Sequence, residues 1–77
     1  MYYRIGDVAR QLDVEPHVVR YWEEEFRIRP LRSKKGQRVY APQHLGKLRL
    51  IKWLLYTELF TVAGAQRQLK LLSEFCS

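Results

Sequence analysis

The stretch Pro16 to Phe26, PHVVRYWEEEF, makes two opposed demands on any fold that contains it. At about 100° per residue, a helix gathers Val18, Val19, Trp22 and Phe26 on one side and His17, Arg20, Tyr21 and Glu24 on the other. The first side requires a core. The second offers cationic, aromatic and imidazole groups from the first two turns, a set of donors suited to base edges and phosphates in a DNA major groove. A helix with this division, inside a basic domain, is expected to be a recognition helix.

The surroundings agree with that expectation. The chain has 77 residues and a formal charge of +6. Its charge is unevenly spread: no acidic residue lies between Phe26 and Thr57, an interval that holds Arg27, Arg29, Arg32, Lys34, Lys35, Arg38, Lys47, Arg49 and Lys52. Such a run implies a polyanionic partner, nucleic acid or an anionic surface, or else a solvated face. A chain this short makes one domain with a small core, burying only about 60% of the surface it exposes when unfolded. No apolar run approaches the roughly 20 residues that span a bilayer, so no membrane association is expected. MYYRIGDV lacks a charged leader followed by an apolar segment. With Cys76 alone, no intramolecular disulfide can form, and a reducing cytoplasm is the expected compartment.

Along the chain, Ile5, Val8, Ala9 and Leu12 follow the i, i+3, i+4, i+7 spacing of a short amphipathic helix over residues 5–12. Asp13 suits a left-handed helix exit and Val14 plugs the turn. Pro16 fits the first position of a second helix over 16–26, behind the weak cap Glu15. Arg29 and Pro30 break the periodicity, and residues 31–40 predict a two-stranded hairpin turned by Gly36, with Leu31 and Val39 inward and Lys34, Lys35 and Arg38 outward toward phosphates. A third helix is expected over 42–59, with Leu45, Leu48, Ile51, Leu54 and Leu55 buried and with Trp53, Leu50 and Tyr56 widening its apolar surface. Phe60 is placed at the junction, and Thr61 caps a fourth helix over 61–75. There Val62, Ala65, Leu69, Leu72 and Cys76 have the spacing of a helix seam, for packing on the third helix or for a longer pairing. The fold class is therefore mainly α: a winged helix-turn-helix of four helices with a small β-hairpin wing, one domain over residues 1–77. The abrupt end of the fourth helix implies a fragment lacking a C-terminal dimerisation or effector region.

Taken together, YYRIGDVA, VRYWE, GQRVY, HLGKLRLIKWL and LFTVAGAQRQL, spread from Tyr2 to about Leu72, resemble the MerR family of winged helix-turn-helix transcription regulators. The resemblance implies binding of double-stranded operator DNA by a homodimer of the full-length protein, recognition helices in successive major grooves and wings on the flanking backbone, with RNA polymerase as a partner at the promoter. It also implies DNA contact by Arg20 and Tyr21, base reading by His17, and phosphate contact by Arg38 and Tyr40 of the wing's Arg-x-Tyr. Arg4, in the opening segment, joins Lys34 and Lys35 among the DNA-binding cations. Trp22 stands where a second Tyr is frequent and Glu15 where Ser or Thr usually caps, which assigns Trp22 to the core.

Other readings remain open residue by residue. Arg20 can pair with guanine O6 and N7, with a phosphate, or with Glu23 or Glu24 along its own helix. Tyr21 can donate to a phosphate or sit partly buried beside the wing, and His17 reads a base or stands in solvent. Glu23, Glu24 and Glu25 cannot converge as a catalytic acid and base, and are expected to pair with Arg27 and Arg29 or to repel DNA. His17, His44 and Cys76 have no metal-ligand spacing. Neither a cofactor nor an enzymatic activity is expected. An architectural or recombination accessory protein that bends DNA, or a protein-interaction module using the apolar third and fourth helices, are the competing functions.

Overall fold

The computed structural model describes residues 2–76, and the side chains of residues 2–72. Its order is β1 (Tyr3–Arg4), α1 (Ile5–Leu12), α2 (Pro16–Glu25), β2 (Leu31–Arg32), β3 (Arg38–Tyr40), α3 (Pro42–Lys52), a π-helical turn (Trp53–Thr57) and α4 (Val62–Cys76).

Both helices of the helix-turn-helix end by the same device. Asp13 adopts φ 56°, its N–H donating to the Arg10 carbonyl while that of Val14 reaches back to Ala9. At the end of α2, Arg27 adopts φ 53°, with Arg27 N–H to Glu24 and Ile28 N–H to Glu23. This paired closure satisfies carbonyls that a helix end would leave unmatched, and it turns the chain sharply. Asp13 was foreseeable as a left-handed residue; Arg27, with a long side chain and no local polar group to assist it, was not.

Val8, Ala9 and Leu12 of α1, Val19, Trp22 and Phe26 at α2, and Leu45, Leu48 and Ile51 of α3 form one buried cluster, joined by Ile28, Tyr40, Leu54 and Ala65. The expected stripes are thus the core. The Trp22 ring meets Tyr56 edge-on, centroids 6.0 Å apart at 83°, so Trp22 is a packing residue as the wheel requires. At the start of α4, Thr61 Oγ1 accepts the Gly64 N–H at 3.0 Å, the cap its position predicts.

The wing differs from the expected two-stranded hairpin. Three antiparallel strands lie in the order β1-β3-β2, pairing Tyr3 with Tyr40, Arg4 with Val39, Leu31 with Val39 and Arg32 with Arg38. Two-residue strands leave almost no periodic trace, which is why β1 was invisible. Leu31 stands opposite Val39, on the face of the sheet turned away from buried Tyr40, and is 49% exposed instead of inward. Alternation along β3 is inverted too. Tyr40 is wholly buried, so Arg38, two residues earlier, shares its helix-facing side, while Val39 is half-buried on the other. At the tip, Gly36 at φ 82° and the bonds from Gly36 N–H to Ser33 and from Ser33 N–H to Gln37 close a three-residue loop.

The third helix is shorter than 42–59. After Lys52 it widens into the π turn, Glu58 N–H bonding to Trp53, and Leu59 reverses the chain at φ 57°. Trp53 and Tyr56 are exposed, and Phe60, 37% exposed, lies at the junction with its ring beside Gly64 of α4. Of the seam on α4, Ala65 is buried, Val62 and Leu69 are partly buried against the core, and Leu72 is exposed. The Phe75 and Cys76 side chains lie outside the described residues.

Candidate nucleic-acid interface

Helix α2 positions its outer face by what its inner face buries. Val19 and Trp22 face the core, which leaves His17, Arg20, Tyr21 and Glu24 exposed along the opposite side. The described ion pairs are Arg10 with Asp7 and Arg38 with Glu23, so the intrahelical pairing of Arg20 with Glu23 or Glu24 is not among them. Tyr21 is half exposed.

The wing carries further cations. Lys34 and Lys35 are exposed at its tip, and Arg32 holds the loop by donating Nη1 to the Gly36 carbonyl at 3.1 Å. Arg4 donates Nη1 to Gln37 Oε1 at 2.8 Å, tying β1 to the hairpin, and its N–H meets Asp7 Oδ2 at 3.3 Å at the start of α1. Arg4, Arg32 and Arg38 together line a shallow hollow between the beginning of α1 and the wing.

Two wing residues are not where the sequence placed them. Tyr40 is 0% exposed and its hydroxyl donates to Glu23 Oε1, so it has no surface to offer a phosphate. Arg38, expected to point outward, donates Nε to Glu23 Oε2 at 3.0 Å and keeps 34% of its side chain exposed. Glu23 itself is 6% exposed and bonds across to β3, instead of pairing with Arg27 or Arg29 or facing DNA. Burial, and then the hydrogen bond to the Glu23 carboxylate, raise the Tyr40 hydroxyl well above the ordinary tyrosine range, with Arg38 and Arg20 opposing. Tyr40 is therefore a neutral donor throughout the range in which the protein would work.

Glu23 is the residue that sequence reasoning missed. The signal was present: Glu23 falls four residues after Val19 and three before Phe26, within the buried stripe. Its place among three successive glutamates masked that periodicity.

Two helices meeting at a tight turn, an exposed cationic and aromatic face on the second, and a three-stranded wing carrying lysines define a winged helix-turn-helix domain. The family model described as MerR HTH family regulatory protein matches residues 3–72, and the chain belongs to that family. It is 37% identical over 49 residues to the HTH-type transcriptional regulator CueR of Salmonella typhi, a match covering 62% of this chain and 36% of that protein. The CueR of Salmonella typhimurium matches equally. This chain thus aligns with about a third of the length of these curated relatives. Among solved structures it is similar to HiNmlR, a MerR family regulator lacking the sensor domain, bound to promoter DNA, with TM-score 0.81 and 19% identity over 94% of this chain and 55% of that one. A MerR family transcriptional regulator from Bacillus cereus superposes with TM-score 0.75 and 22% identity over 90% and 52% of the two chains.

Proposed function

We propose that this chain is the DNA-reading domain of a transcription regulator, binding double-stranded DNA in a sequence-specific way through α2 and the wing. The observation that carries this reading is the exposed row of His17, Arg20 and Tyr21 on a helix whose other side is locked in the core, in a member of a regulatory helix-turn-helix family. In this reading α2 lies in the major groove, with Arg20 and His17 at base edges and the Tyr21 hydroxyl on a phosphate. Lys34, Lys35, Arg4 and the exposed end of Arg38 supply the sequence-independent hold on the backbone. Tyr40 has no part in it. No enzymatic role is assigned.

The regulator works as a homodimer, each copy reading one half-site, with RNA polymerase as the partner at the promoter and the cytoplasm as its compartment. Exposed Leu71 and Leu72 near the end of α4 support a helix that pairs further, and among the described residues no helix is long and apolar enough to cross a membrane. Exposed Trp53, Tyr56 and Leu59 at the α3–α4 junction favour a second reading, a surface for a protein partner.

Selection of bound duplexes from a random pool, with Arg20→Ala as the control, tests the proposal. A defined motif recovered by the protein and lost in the variant is the expected result. Binding that is salt-sensitive but without a motif would indicate an architectural role, and no binding at low salt would overturn the reading.

A further inference from the structure

Among the described residues Glu23 is the charged residue buried in this core, and it joins the two elements that the proposed function sets against DNA. Its two oxygens are taken by two residues of one strand, the Tyr40 hydroxyl on Oε1 and Arg38 Nε on Oε2 at 3.0 Å. Strand residues two apart project to the same side, so β3 presents these donors as a fork that a carboxylate on α2 fills by accepting at both oxygens; an amide there keeps one accepting oxygen and no charge. We propose that Glu23 is a positioning residue for DNA binding: held by the Tyr40 hydroxyl, its carboxylate fixes the Arg38 guanidinium, and with it the wing, against the reading helix.

The chemistry separates this role from simple cohesion. A buried ion pair contributes little net stability compared with well-packed apolar side chains of the same volume. An apolar residue at Glu23 would hold α2 to β3 but would leave the guanidinium unheld. With Nε committed to Glu23, the terminal N–H groups of Arg38 are what remains for a phosphate, on a side chain 34% exposed. The side chain then gives up its rotamer freedom on folding and not on meeting DNA, so less is lost at the moment of binding.

The proposal rests on the wing contacting phosphates, and a double-mutant cycle tests the two ideas apart. Affinity for a random-sequence duplex is measured against salt for the protein, Arg38→Ala, Glu23→Gln and the double variant, at a temperature where circular dichroism shows each one folded. Removing one phosphate interaction lowers the slope of log affinity against log salt by about 0.9, which is roughly fivefold in affinity near 0.15 M salt. Arg38→Ala should show this loss in full and Glu23→Gln a large part of it. The double variant should be no weaker than Arg38→Ala alone, the non-additivity of residues acting as a unit. Unchanged binding in Arg38→Ala overturns the wing reading. A normal loss in Arg38→Ala beside wild-type binding in Glu23→Gln overturns the positioning role and leaves the wing reading standing.

Should Glu23→Gln not fold, Tyr40→Phe keeps the carboxylate and removes only its anchor. The Arg38 Nε–H, bonded to Glu23 Oε2 in the protein, should then exchange faster with solvent, and affinity should fall. Exchange and affinity both unchanged would overturn the proposal.

Discussion

Replacing Tyr40 by Phe removes one oxygen atom from the centre of the domain and leaves almost everything else in place. Tyr40 is wholly buried, so the ring continues to fill its site and the cavity created is no larger than a hydroxyl. What is lost is a hydrogen bond from a neutral donor to a buried carboxylate, whose Oε1 then has no partner. Bonds of this charge-assisted kind contribute roughly 2 kcal/mol, and the variant should be less stable by that amount at neutral pH. For a domain of this size the corresponding fall in melting temperature is roughly 10 °C. The alkaline limb supplies the sharper test. The Tyr40 hydroxyl titrates higher in the folded protein than in the unfolded chain, because burial and Glu23 disfavour phenolate. Below about pH 10 both states hold the proton and the contribution is complete. Above it the unfolded state releases a proton that the folded state keeps, and stability falls by about 1.4 kcal/mol per pH unit. Tyr40→Phe has no such titration, so the gap between the two proteins should narrow as pH rises above 10, while the other tyrosines and the lysines cancel in the difference. Urea denaturation at neutral pH and at several alkaline values measures it. A gap of constant size across pH would refute the buried Tyr40–Glu23 bond.

Other perturbations address the interface and the wing. Replacing both Lys34 and Lys35 by Ala should weaken binding to every duplex alike and reduce the salt slope by roughly 0.9 for each phosphate no longer neutralised, as read by fluorescence anisotropy over a salt series; an unchanged slope removes the tip from the backbone. His17→Ala should shift the preferred sequence at one or two base pairs, by about 1 to 3 kcal/mol in competition assays, and a uniform loss at all sequences would make it a phosphate contact instead. Gly36→Ala meets nothing within 4 Å of the added carbon, so its cost is backbone strain alone at φ 82°, about 1 kcal/mol in chemical denaturation. Undiminished stability there would mean that the loop does not need its left-handed residue.

How much of this was legible in the sequence follows from the length of each element. Helices of eight residues or more carry enough turns for an apolar stripe to repeat, and the stripes through Val8 and Leu12, Val19 and Trp22, and Leu45, Leu48 and Ile51 all lie in the core. Strands of two and three residues repeat nothing. Val39 and Tyr40 are both apolar enough to face inward, and which one does so depends on Glu23 accepting the Tyr40 hydroxyl, a contact seventeen positions apart in sequence. A register that differs by one residue exchanges every face, which carried Arg38 and Tyr40 from the expected outer side to the inner. The apolar stripe predicts helix beyond Lys52 because it continues through Leu54 and Leu55; the widened turn from Trp53 to Thr57 is a property of backbone bonding that leaves no mark in the stripe. At the site, the exposed row on α2 was legible because exposure is the complement of a stripe, whereas the buried carboxylate within that stripe was not.

The same complement explains why a domain of this size can present a defined reading face. Helix α2 is tied on every side except that one. Val19 lies in the core with α1, and Trp22 abuts Tyr56 beyond α3. Glu23 is clasped by β3, and at the helix end the Glu25 carbonyl accepts the Gln66 side-chain N–H from α4 at 2.6 Å. Each tie uses a different chemistry: apolar packing, an aromatic edge, an ion pair and a hydrogen bond from a side-chain amide to a backbone carbonyl. A helix held in this way has few orientations left, so on the proposed reading His17, Arg20 and Tyr21 would need no new ordering when a duplex arrives, and their binding energy would not be consumed in fixing the helix that bears them. In this small core the stability of α2 and the definition of its reading face are therefore the same set of contacts.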